Sequence, residues 1–370
     1  METTLQHAAA QVRHAVKQAT SGLVGRDQLA ELIILAAVAG EHLLVIGPPG
    51  TAKSAVVRRV ARSIGGRYFE YLLGRFTEPS ELFGPVDLKK LREGVVETDT
   101  SGMLPEAEVV FLDEVFLGST AILNTLLGLL NERRFRRGHT QLECPLRVCV
   151  GAANALPDDE GLAAFADRFL LHLFVEPVAD HQLEEMLAGG WSAQRDLQGA
   201  GLGLSELDQL NRAVANVDLE TLWPLLADAI RQLRAAGIGL SDRRIVKSQR
   251  LIAAATVLAG RQVAGAGDLW PLLYALPTRE LQQRGREVLG DRLAASSNPH
   301  LFSAVEEVSL QPLSRLYRLV ERANLCLQSA EGGALRESVL REIDANFTRE
   351  TLPAELQPLR QRLLDMAPGP

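Results

Sequence analysis

Short, mostly apolar runs alternate with amphipathic stretches over the first half of the chain. The runs are residues 43–46, 68–72, 109–112, 146–152 and 170–175. Runs of this length are typical of strands buried on both faces, and their alternation with helical segments indicates a parallel sheet covered by helices. The pattern predicts an α/β core domain over residues 1–178.

After this core the hydrophobic periodicity is helical throughout. Glycine-containing breaks interrupt it at 189–190, 199–203 and 237–239. These breaks predict a helical lid domain over 179–276 and a C-terminal helical domain over 277–370. We expect the last of these to support stability and assembly and to carry no catalytic group.

Composition narrows the classes of function. The 370 residues are 46% hydrophobic and 23% charged, which is ordinary for a soluble globular protein. A net charge of −7 disfavours nucleic acid as a partner, although a local basic channel stays open. Residues 1–20 lack the apolar core of a signal peptide, and no stretch is long enough to span a membrane. Three cysteines without zinc spacing favour reduced thiols in a cytoplasmic setting: Cys144, Cys149 and Cys326.

A glycine- and proline-rich turn follows the first predicted strand. It consists of Gly47, Pro48, Pro49, Gly50, Thr51, Ala52, Lys53 and Ser54. Its glycines allow backbone N–H groups to fold around anionic oxygens, Lys53 would reach the β and γ phosphates, and the Ser54 hydroxyl would hold magnesium. The strict pattern has glycine where this chain has Ala52, so a simple turn with a surface lysine is the alternative. The segment predicts binding of ATP or ADP with Mg²⁺.

The third apolar run ends in two carboxylates, Asp113 and Glu114. Carboxylates at the carboxyl end of a buried parallel strand emerge where α/β sheets bind ligands. Asp113 can coordinate magnesium through its water shell, and Glu114 can polarise the water that attacks the γ phosphate. Capping of the next helix is the alternative. Together with the phosphate-binding turn, this strand predicts ATP hydrolysis.

Two polar residues beside later strands complete the predicted catalytic set. Asn154 follows the fourth predicted strand, where its amide could position the attacking water; closing a turn before Pro157 is the alternative. Arg168 precedes the last predicted strand, and an arginine there could reach a neighbouring subunit's phosphate site and stabilise the transition state. A plain salt bridge between Asp167 and Arg168 is the alternative.

Two further segments are candidates for contacts with the nucleotide. A helix N-cap at Ser241 precedes Arg243 and Arg244, and one of these could reach back onto the γ phosphate from the lid. Arg243 is favoured over Arg244, and solvated helix charges are the alternative. Val24 and Gly25 precede the first long helix, where backbone groups often contact adenine.

Over roughly residues 20–275, these segments resemble AAA+ ATPases of the MoxR branch, and within it RavA-like proteins. Phosphate loops of this branch tend to read Gly-Pro-Pro-Gly-x-Ala-Lys-Ser, as residues 47–54 do. The stretch 111–135 looks like its RavA counterpart, and so does Ser-Asp-Arg-Arg at 241–244. RavA-like proteins usually carry a small β-rich domain before their final helices, and this chain has no room for it.

The resemblance implies an AAA+ αβα sandwich with a P-loop, a helical lid and a C-terminal helical bundle. It also implies an inserted hairpin over 77–102 and a second, pre-sensor hairpin over 133–144. By the same resemblance, the protein forms a homo-hexameric ring that hydrolyses ATP to remodel or mature a client protein, together with a partner bearing a von Willebrand A domain. A nucleotide-gated scaffold with negligible turnover is the second hypothesis, and a nucleic-acid motor is a poorer third one.

Overall fold

A five-stranded parallel sheet forms the centre of the molecule. The computed structural model describes residues 2–192, 201–309, 319–320, 322–324, 326–327, 333–347 and 352–365. The strands are β1 (Leu43–Ile46), β2 (Tyr68–Leu72), β3 (Val109–Asp113), β4 (Arg134–Arg137), β5 (Thr140–Glu143), β6 (Val148–Ala153) and β7 (Leu171–Phe174). The order in the sheet is β2-β3-β6-β1-β7, all parallel, while β4 and β5 form a separate antiparallel hairpin. The predicted α/β fold is confirmed.

Helices cover both faces of this sheet and make up most of the rest of the described chain. They are α1 (Glu2–Thr20), α2 (Asp27–Ala39), α3 (Lys53–Ile64), α4 (Pro79–Phe83), α5 (Leu88–Arg92), α6 (Thr120–Glu132), α7 (Glu160–Ala166), α8 (Leu183–Ser192), α9 (Leu204–Val214), α10 (Leu222–Ala235), α11 (Asp242–Leu258), α12 (Pro271–Tyr274), α13 (Arg279–Leu293), α14 (Phe302–Ser309), α15 (Gly333–Asn346) and α16 (Gln357–Asp365). None of the helices in the described ranges has both the length and the apolar character needed to cross a bilayer.

The register of the sheet fixes two opposite edges. Ile46 at the end of β1 pairs with Ala153 and Phe174, so three neighbouring strands end together. We call this end, together with Asp113 at the end of β3, the carboxyl edge. The opposite end, where the strands begin, is the amino edge. A strand of four residues separates the two edges by about 13 Å, at about 3.3 Å per residue.

Helix α2 connects the sheet to the later helices. Every residue from Leu29 to Ala39 is buried, because this helix is apolar nearly all round and packs against α9, α11 and α14 as well as the sheet. Its one buried carboxylate, Glu31, accepts the backbone N–H groups of Ser303 (3.2 Å) and Ala304 (2.7 Å) in the first turn of α14. Burial raises the pKa of Glu31 well above its ordinary value.

Helices on both sides of the predicted boundary at residue 276 share one hydrophobic core. Leu289 of α13 and Val305 of α14 belong to the same buried cluster as α2 and the sheet. A second, smaller cluster gathers residues between Leu319 and Leu363. The predicted boundaries at 178 and 276 stay predictions, although α13 and α14 pack with helices that precede residue 276.

The two predicted hairpins have different outcomes. The hairpin predicted over 133–144 is present as β4 and β5. The one predicted over 77–102 is not a regular hairpin, because short helices α4 and α5 occupy it and only an isolated bridge joins Val86 to Thr98. A capping box at the start of α4 and the Asp87 side chain at the start of α5 favour these helical turns over strands. The observed β6 and β7 differ from the predicted runs by one or two residues at their ends.

Candidate nucleotide-binding site

The phosphate loop, residues 47–54, lies at the carboxyl edge between β1 and α3. Gly47 donates its N–H to the carbonyl of Ala153 (3.1 Å), and a Cβ at this position would stand 2.3 Å from the carbonyl oxygen of Val175. Only glycine fits between the ends of β6 and β7. Gly50 has φ +79°, which favours glycine for backbone reasons. Both glycines are therefore required by the path of the loop.

Ala52 adopts the left-handed conformation at the position where the strict motif has glycine. Its φ is 61°, and it stands directly before the first residue of α3. A non-glycine residue in this region is strained, typically by about 1 kcal/mol or more. The loop thus follows a path suited to glycine although the sequence departs from it, and the alternative of an ordinary turn loses its main support.

The Lys53 side chain is directed back into the loop. Its Nζ donates to the carbonyl oxygens of Gly47 (2.7 Å) and Pro48 (3.0 Å). Burial lowers the pKa of Lys53, and the nearby carboxylates of Asp113 and Glu114 oppose that shift. The ammonium group therefore lies beside two loop carbonyls and close to both predicted acidic residues, a position from which it could reach a phosphate.

Three of the predicted catalytic residues come together at the carboxyl edge. Asp113 ends β3, and its Oδ1 accepts the backbone N–H of Glu114 (3.0 Å). Glu114 has φ 50°, which directs the chain sharply away from the strand. Asn154, just past β6, donates its Nδ2 hydrogen to Glu114 Oε1 (2.6 Å). An amide thereby orients the carboxylate that would polarise water. Ser54 in the first turn of α3 and Asp113 at the end of β3 carry oxygen atoms of the kind that would hold magnesium.

A cavity of about 530 Å³ lies between the turn before α2, the chain that leaves β7 and the first turns of α13. Gly25, Val175 and Tyr274 are among its lining residues, whereas Val24 is buried and does not line it. Gly25 thus lines this cavity and the Val24 side chain is buried, while the predicted contact of their backbone groups with adenine stays a prediction. Gly25 has φ +67°, which exposes its backbone groups on a sharp turn.

Arg26 is a buried residue of this site that sequence reasoning missed. Its Nε donates to the carbonyl of Thr51 in the phosphate loop (2.7 Å), and its Nη2 donates to the carbonyl of Glu176 (3.0 Å). Burial lowers the pKa of Arg26. The side chain ties the loop to the chain leaving β7, so it is a positioning residue. No local motif marks it, because both partners are distant in sequence.

The amino edge carries a cluster of charged residues. Arg168, three residues before β7, has its Nη1 3.8 Å from Asp167 Oδ2. Arg243 approaches the same oxygen at 4.0 Å and donates to Asn131 Oδ1 (2.6 Å). Arg168 and Arg243 are 30% and 29% exposed, so both can contact a neighbouring molecule. We call Arg168 and Arg243, with Asp167 between them, the arginine pair.

The position of Arg243 corrects one expectation. From the sequence this residue was expected to reach the γ phosphate of its own chain, yet it lies at the opposite edge of the sheet from its own phosphate loop. The reason is the packing of α11 along α2, where Arg250 donates to the carbonyl of Ala39 (2.6 Å) and Lys247 contacts Glu41 (2.5 Å). Both partners precede β1, so the first turn of α11 lies at the amino edge.

Arg244 is structural. Only 3% of its side chain is exposed, and it donates to Asp167 (2.5 Å) and to the carbonyls of Phe169 (2.9 Å), Leu170 (3.0 Å) and Ala275 (2.6 Å). All of its donors are directed into the protein, so between the two adjacent arginines only Arg243 is available to a ligand or a neighbour.

Two buried histidines lie near the same edge. His42, just before β1, accepts the backbone N–H of Cys149 at Nδ1 (3.0 Å), which requires a neutral ring. Burial lowers its pKa well below the ordinary value, and the nearby Arg133, Lys247 and Arg243 add to this. Burial also lowers the pKa of His172 in β7, with a further contribution from Arg244.

The parallel sheet with a phosphate loop after β1 defines a P-loop protein of the α/β class. A family model described as "MoxR domain in the MoxR-vWA-beta-propeller ternary systems" matches residues 10–212. Two uncharacterized proteins of Methanocaldococcus jannaschii are 35% and 33% identical to the chain. Each alignment covers 68% of this chain, and the alignments cover 66% and 68% of the two relatives, respectively. Chaperone MoxR1 of Mycobacterium tuberculosis is 28% identical over 157 residues, 41% of each chain. The chain belongs to the MoxR family of AAA+ ATPases.

A solved structure of a candidate ATPase from Cytophaga hutchinsonii has the same fold. Its TM-score is 0.65 at 16% identity, covering 80% of this chain and 97% of that one. At this identity the likeness concerns the fold alone. The alignments to the two Methanocaldococcus jannaschii relatives span about two thirds of their lengths. The narrower resemblance to RavA-like proteins stays a prediction.

Proposed function

We propose that the protein is a ring-forming MoxR-type ATPase that hydrolyses ATP to remodel or mature a client protein. The observation that carries this proposal is the division of one catalytic set between two edges. The phosphate loop, Asp113, Glu114 and Asn154 lie at the carboxyl edge, and the arginine pair lies at the amino edge. A chain built in this way completes a site only by presenting its amino edge to another copy, and a homo-hexamer is the ring that the family resemblance implies.

In this proposal each group at the carboxyl edge has one task. The loop N–H groups and Lys53 bind the phosphates of ATP, and Glu114 accepts a proton from the attacking water while Asn154 holds that carboxylate in place. Magnesium, held by Ser54 and Asp113, would supply charge neutralisation at the β and γ phosphates. Gly25 and the cavity beside it accept the base of ATP or ADP.

At the amino edge, Arg168 and Arg243 would approach the γ phosphate of the neighbour's ATP. Three guanidinium groups, those of Arg168, Arg243 and the buried Arg244, share the one carboxylate of Asp167, so the pair of exposed arginines keeps a net positive charge for an anion. Planar arginine forks bind phosphate oxygens through paired hydrogen bonds, and an arginine supplied in trans stabilises the charge of the transition state.

A von Willebrand A domain protein is the partner that we propose. The matched family model takes its description from MoxR-vWA-beta-propeller systems, which motivates this choice. We propose a reduced, cytoplasmic setting because all three cysteines are buried and none of them forms a disulfide among the described residues, and burial raises the pKa of Cys149 to about 12. Co-purification of the tagged protein from its own host, with and without ATP, tests the partner.

Dependence of turnover on protein concentration tests the ring. Specific ATPase activity should rise with concentration while light scattering reports assembly, and Glu114→Gln should bind ATP with nearly unchanged affinity yet hydrolyse it slowly. An active wild-type protein that stays monomeric at constant specific activity would refute the shared site. Tight ATP binding with negligible turnover in the assembled ring would instead establish the second candidate, a nucleotide-gated scaffold.

A further inference from the structure

The first turn of α13 brings a positive charge to the phosphate loop from within the same chain. Thr278 caps this helix by accepting the N–H of Leu281 at its Oγ1 (3.2 Å), and Arg279 is its first residue. A cavity of about 430 Å³ is lined jointly by Arg279, by Gly47 and Pro48 of the loop, and by Asn154. One cavity therefore joins Arg279 to the start of the phosphate loop and to the amide that holds Glu114.

The present partners of Arg279 are weak ones. Its guanidinium contacts the carboxylate of Glu176 and stands 5.7 Å above the ring of Phe174. Arg279 is 48% exposed and Glu176 is 65% exposed. An ion pair this open to water contributes little, so its arginine is free to exchange one anion for another.

The charges at the carboxyl edge make such an exchange favourable. Asp113, Glu114, Glu176 and Glu280 contribute four carboxylates near the loop, and Lys53 and Arg26 are the cations already bonded to its carbonyls. The lid arginine expected there, Arg243, lies at the amino edge instead. A triphosphate entering this edge brings several further negative charges, and an arginine fork binds phosphate oxygens through two charge-assisted hydrogen bonds.

We propose that Arg279 binds the terminal phosphate of ATP in its own chain and that Glu176 is the counter-ion it leaves when ATP binds. This inference rests on the proposed ATPase function. Under this proposal α13 carries a nucleotide-binding residue, although the sequence predicted no catalytic group in residues 277–370. Because Asn154, the residue that donates to Glu114, lines the same cavity as Arg279, we expect Arg279 to discriminate ATP from ADP.

Equilibrium binding of ATP and ADP with Mg²⁺, measured calorimetrically in a Glu114→Gln background, tests the inference. Arg279→Gln should weaken ATP binding about ten-fold or more and ADP binding at most about two-fold, since a charge-assisted contact to the terminal phosphate is lost. The matched control is Arg284→Gln, an exposed arginine of the same helix that donates to the carbonyl of Ala236 (2.6 Å). It should change neither affinity.

A second variant keeps the test informative if Arg279→Gln is poorly folded. Glu176→Gln removes the competing carboxylate and should tighten ATP binding a few-fold, and this gain should vanish when Arg279→Gln is added. Thermal melting of each variant checks that the fold is retained.

Three results would overturn the inference. One is ATP affinity in a folded Arg279→Gln protein equal to that of Arg284→Gln. A second is an equal loss for ATP and ADP, which would exclude the terminal phosphate. A third is unchanged ATP affinity in Glu176→Gln. If the protein with intact Arg279 bound no ATP, or if Lys53→Ala bound it normally, the proposed function would fall as well, so the two failures are distinguishable.

Discussion

The two edges of the central sheet differ in how their charged groups are held. At the carboxyl edge, short loops after β1, β3 and β6 hold the functional residues: Lys53, Asp113, Glu114 and Asn154 contact one another or the loop itself. At the amino edge, Arg168 lies just before β7, whereas Arg243 is placed by the distant helix α11, and both approach the carboxylate of Asp167. The first edge has the parts to bind and hydrolyse a nucleotide, and the second has surplus positive charge without a phosphate loop.

This difference supports the proposal that one chain carries two complementary half-sites facing opposite ways. A self-contained ATPase would place its stabilising arginine at the edge where its own phosphate loop lies. Here about 13 Å of sheet separates them. Variants that change one edge of the sheet and leave the other intact test this comparison of the two edges.

Loss of Arg168 should have the largest effect. Arg168→Ala should lower kcat about 10³-fold, equivalent to about 4 kcal/mol of transition-state stabilisation, while ATP affinity stays near that of the wild type. Steady-state ATPase assays and calorimetry measure the two quantities. Arg234→Ala, an exposed arginine on α10 paired with Asp242, is the control and should leave both unchanged.

Mixing variants sharpens this prediction. Arg168→Ala mixed with Lys53→Ala should regain some activity, because an intact Arg168 from one chain meets an intact phosphate loop from the other. A fall in ATP affinity matching the fall in kcat would mean that Arg168 acts at its own carboxyl edge, and the comparison of edges would be wrong.

Loss of Lys53 should act on binding instead. Lys53→Ala should weaken ATP binding by at least about 1.5 to 3 kcal/mol, because a charge-assisted phosphate contact disappears. The fold should survive, since the hydrogen-bond partners of Nζ are the loop's own carbonyls of Gly47 and Pro48. Calorimetry with ATP and Mg²⁺, alongside a thermal melt, is the measurement. Wild-type affinity in a folded variant would remove this loop from the mechanism.

Acidification should weaken the fold through the buried histidines. His42 and His172 have folded-state pKa values well below the ordinary 6.5, so the unfolded chain binds more protons below pH 6.5. The free energy of unfolding is therefore unaffected by these histidines above pH 6.5. Below pH 6.5 it falls with the pH, by up to about 1.4 kcal/mol per pH unit for each histidine. Urea unfolding at several pH values measures this slope.

A single substitution isolates the contribution of His42. His42→Asn keeps an acceptor for the Cys149 N–H without a titrating group, so its slope should be smaller by about one proton. The variant must be compared with the wild type because Glu31 also titrates. Its folded-state pKa is raised, so above its ordinary pKa of 4.5 it makes the free energy of unfolding fall as the pH rises. Identical slopes in the two proteins would show that His42 is not the titrating group.

The smallest predicted effect lies in the phosphate loop. Ala52→Gly should raise the free energy of unfolding by about 0.5 to 1 kcal/mol, because glycine adopts the observed φ of 61° without strain. Ala61→Gly, in the same helix region but inside α3, should lower it by a similar amount. Urea midpoints compare the two variants. A destabilising Ala52→Gly would mean that the loop does not hold the left-handed conformation in solution.

Much of the carboxyl edge could be predicted because its signals are local. The end of each apolar run marks the end of a strand. Residues at these ends must emerge at the same edge of a parallel sheet, and they include Gly47, Asp113 and Asn154. Residue type then defines the chemistry. Arg26 and Arg279 lie at this edge too, yet they were missed because their partners, Thr51 and Glu176, are far away in sequence.

The sequence by itself therefore determined the α/β fold, the phosphate loop and the two carboxylates after β3, since hydrophobic periodicity and turn chemistry are properties of short segments. Only the tertiary structure decided which edge each arginine serves. The packing of α11 on α2 placed Arg243 beside Arg168, and the packing of α13 near the end of β7 placed Arg279 beside Gly47. Such placements depend on packing between segments that are more than a hundred residues apart. Glu176 and Arg279, for example, are separated by 103 residues, and no local sequence pattern encodes their contact.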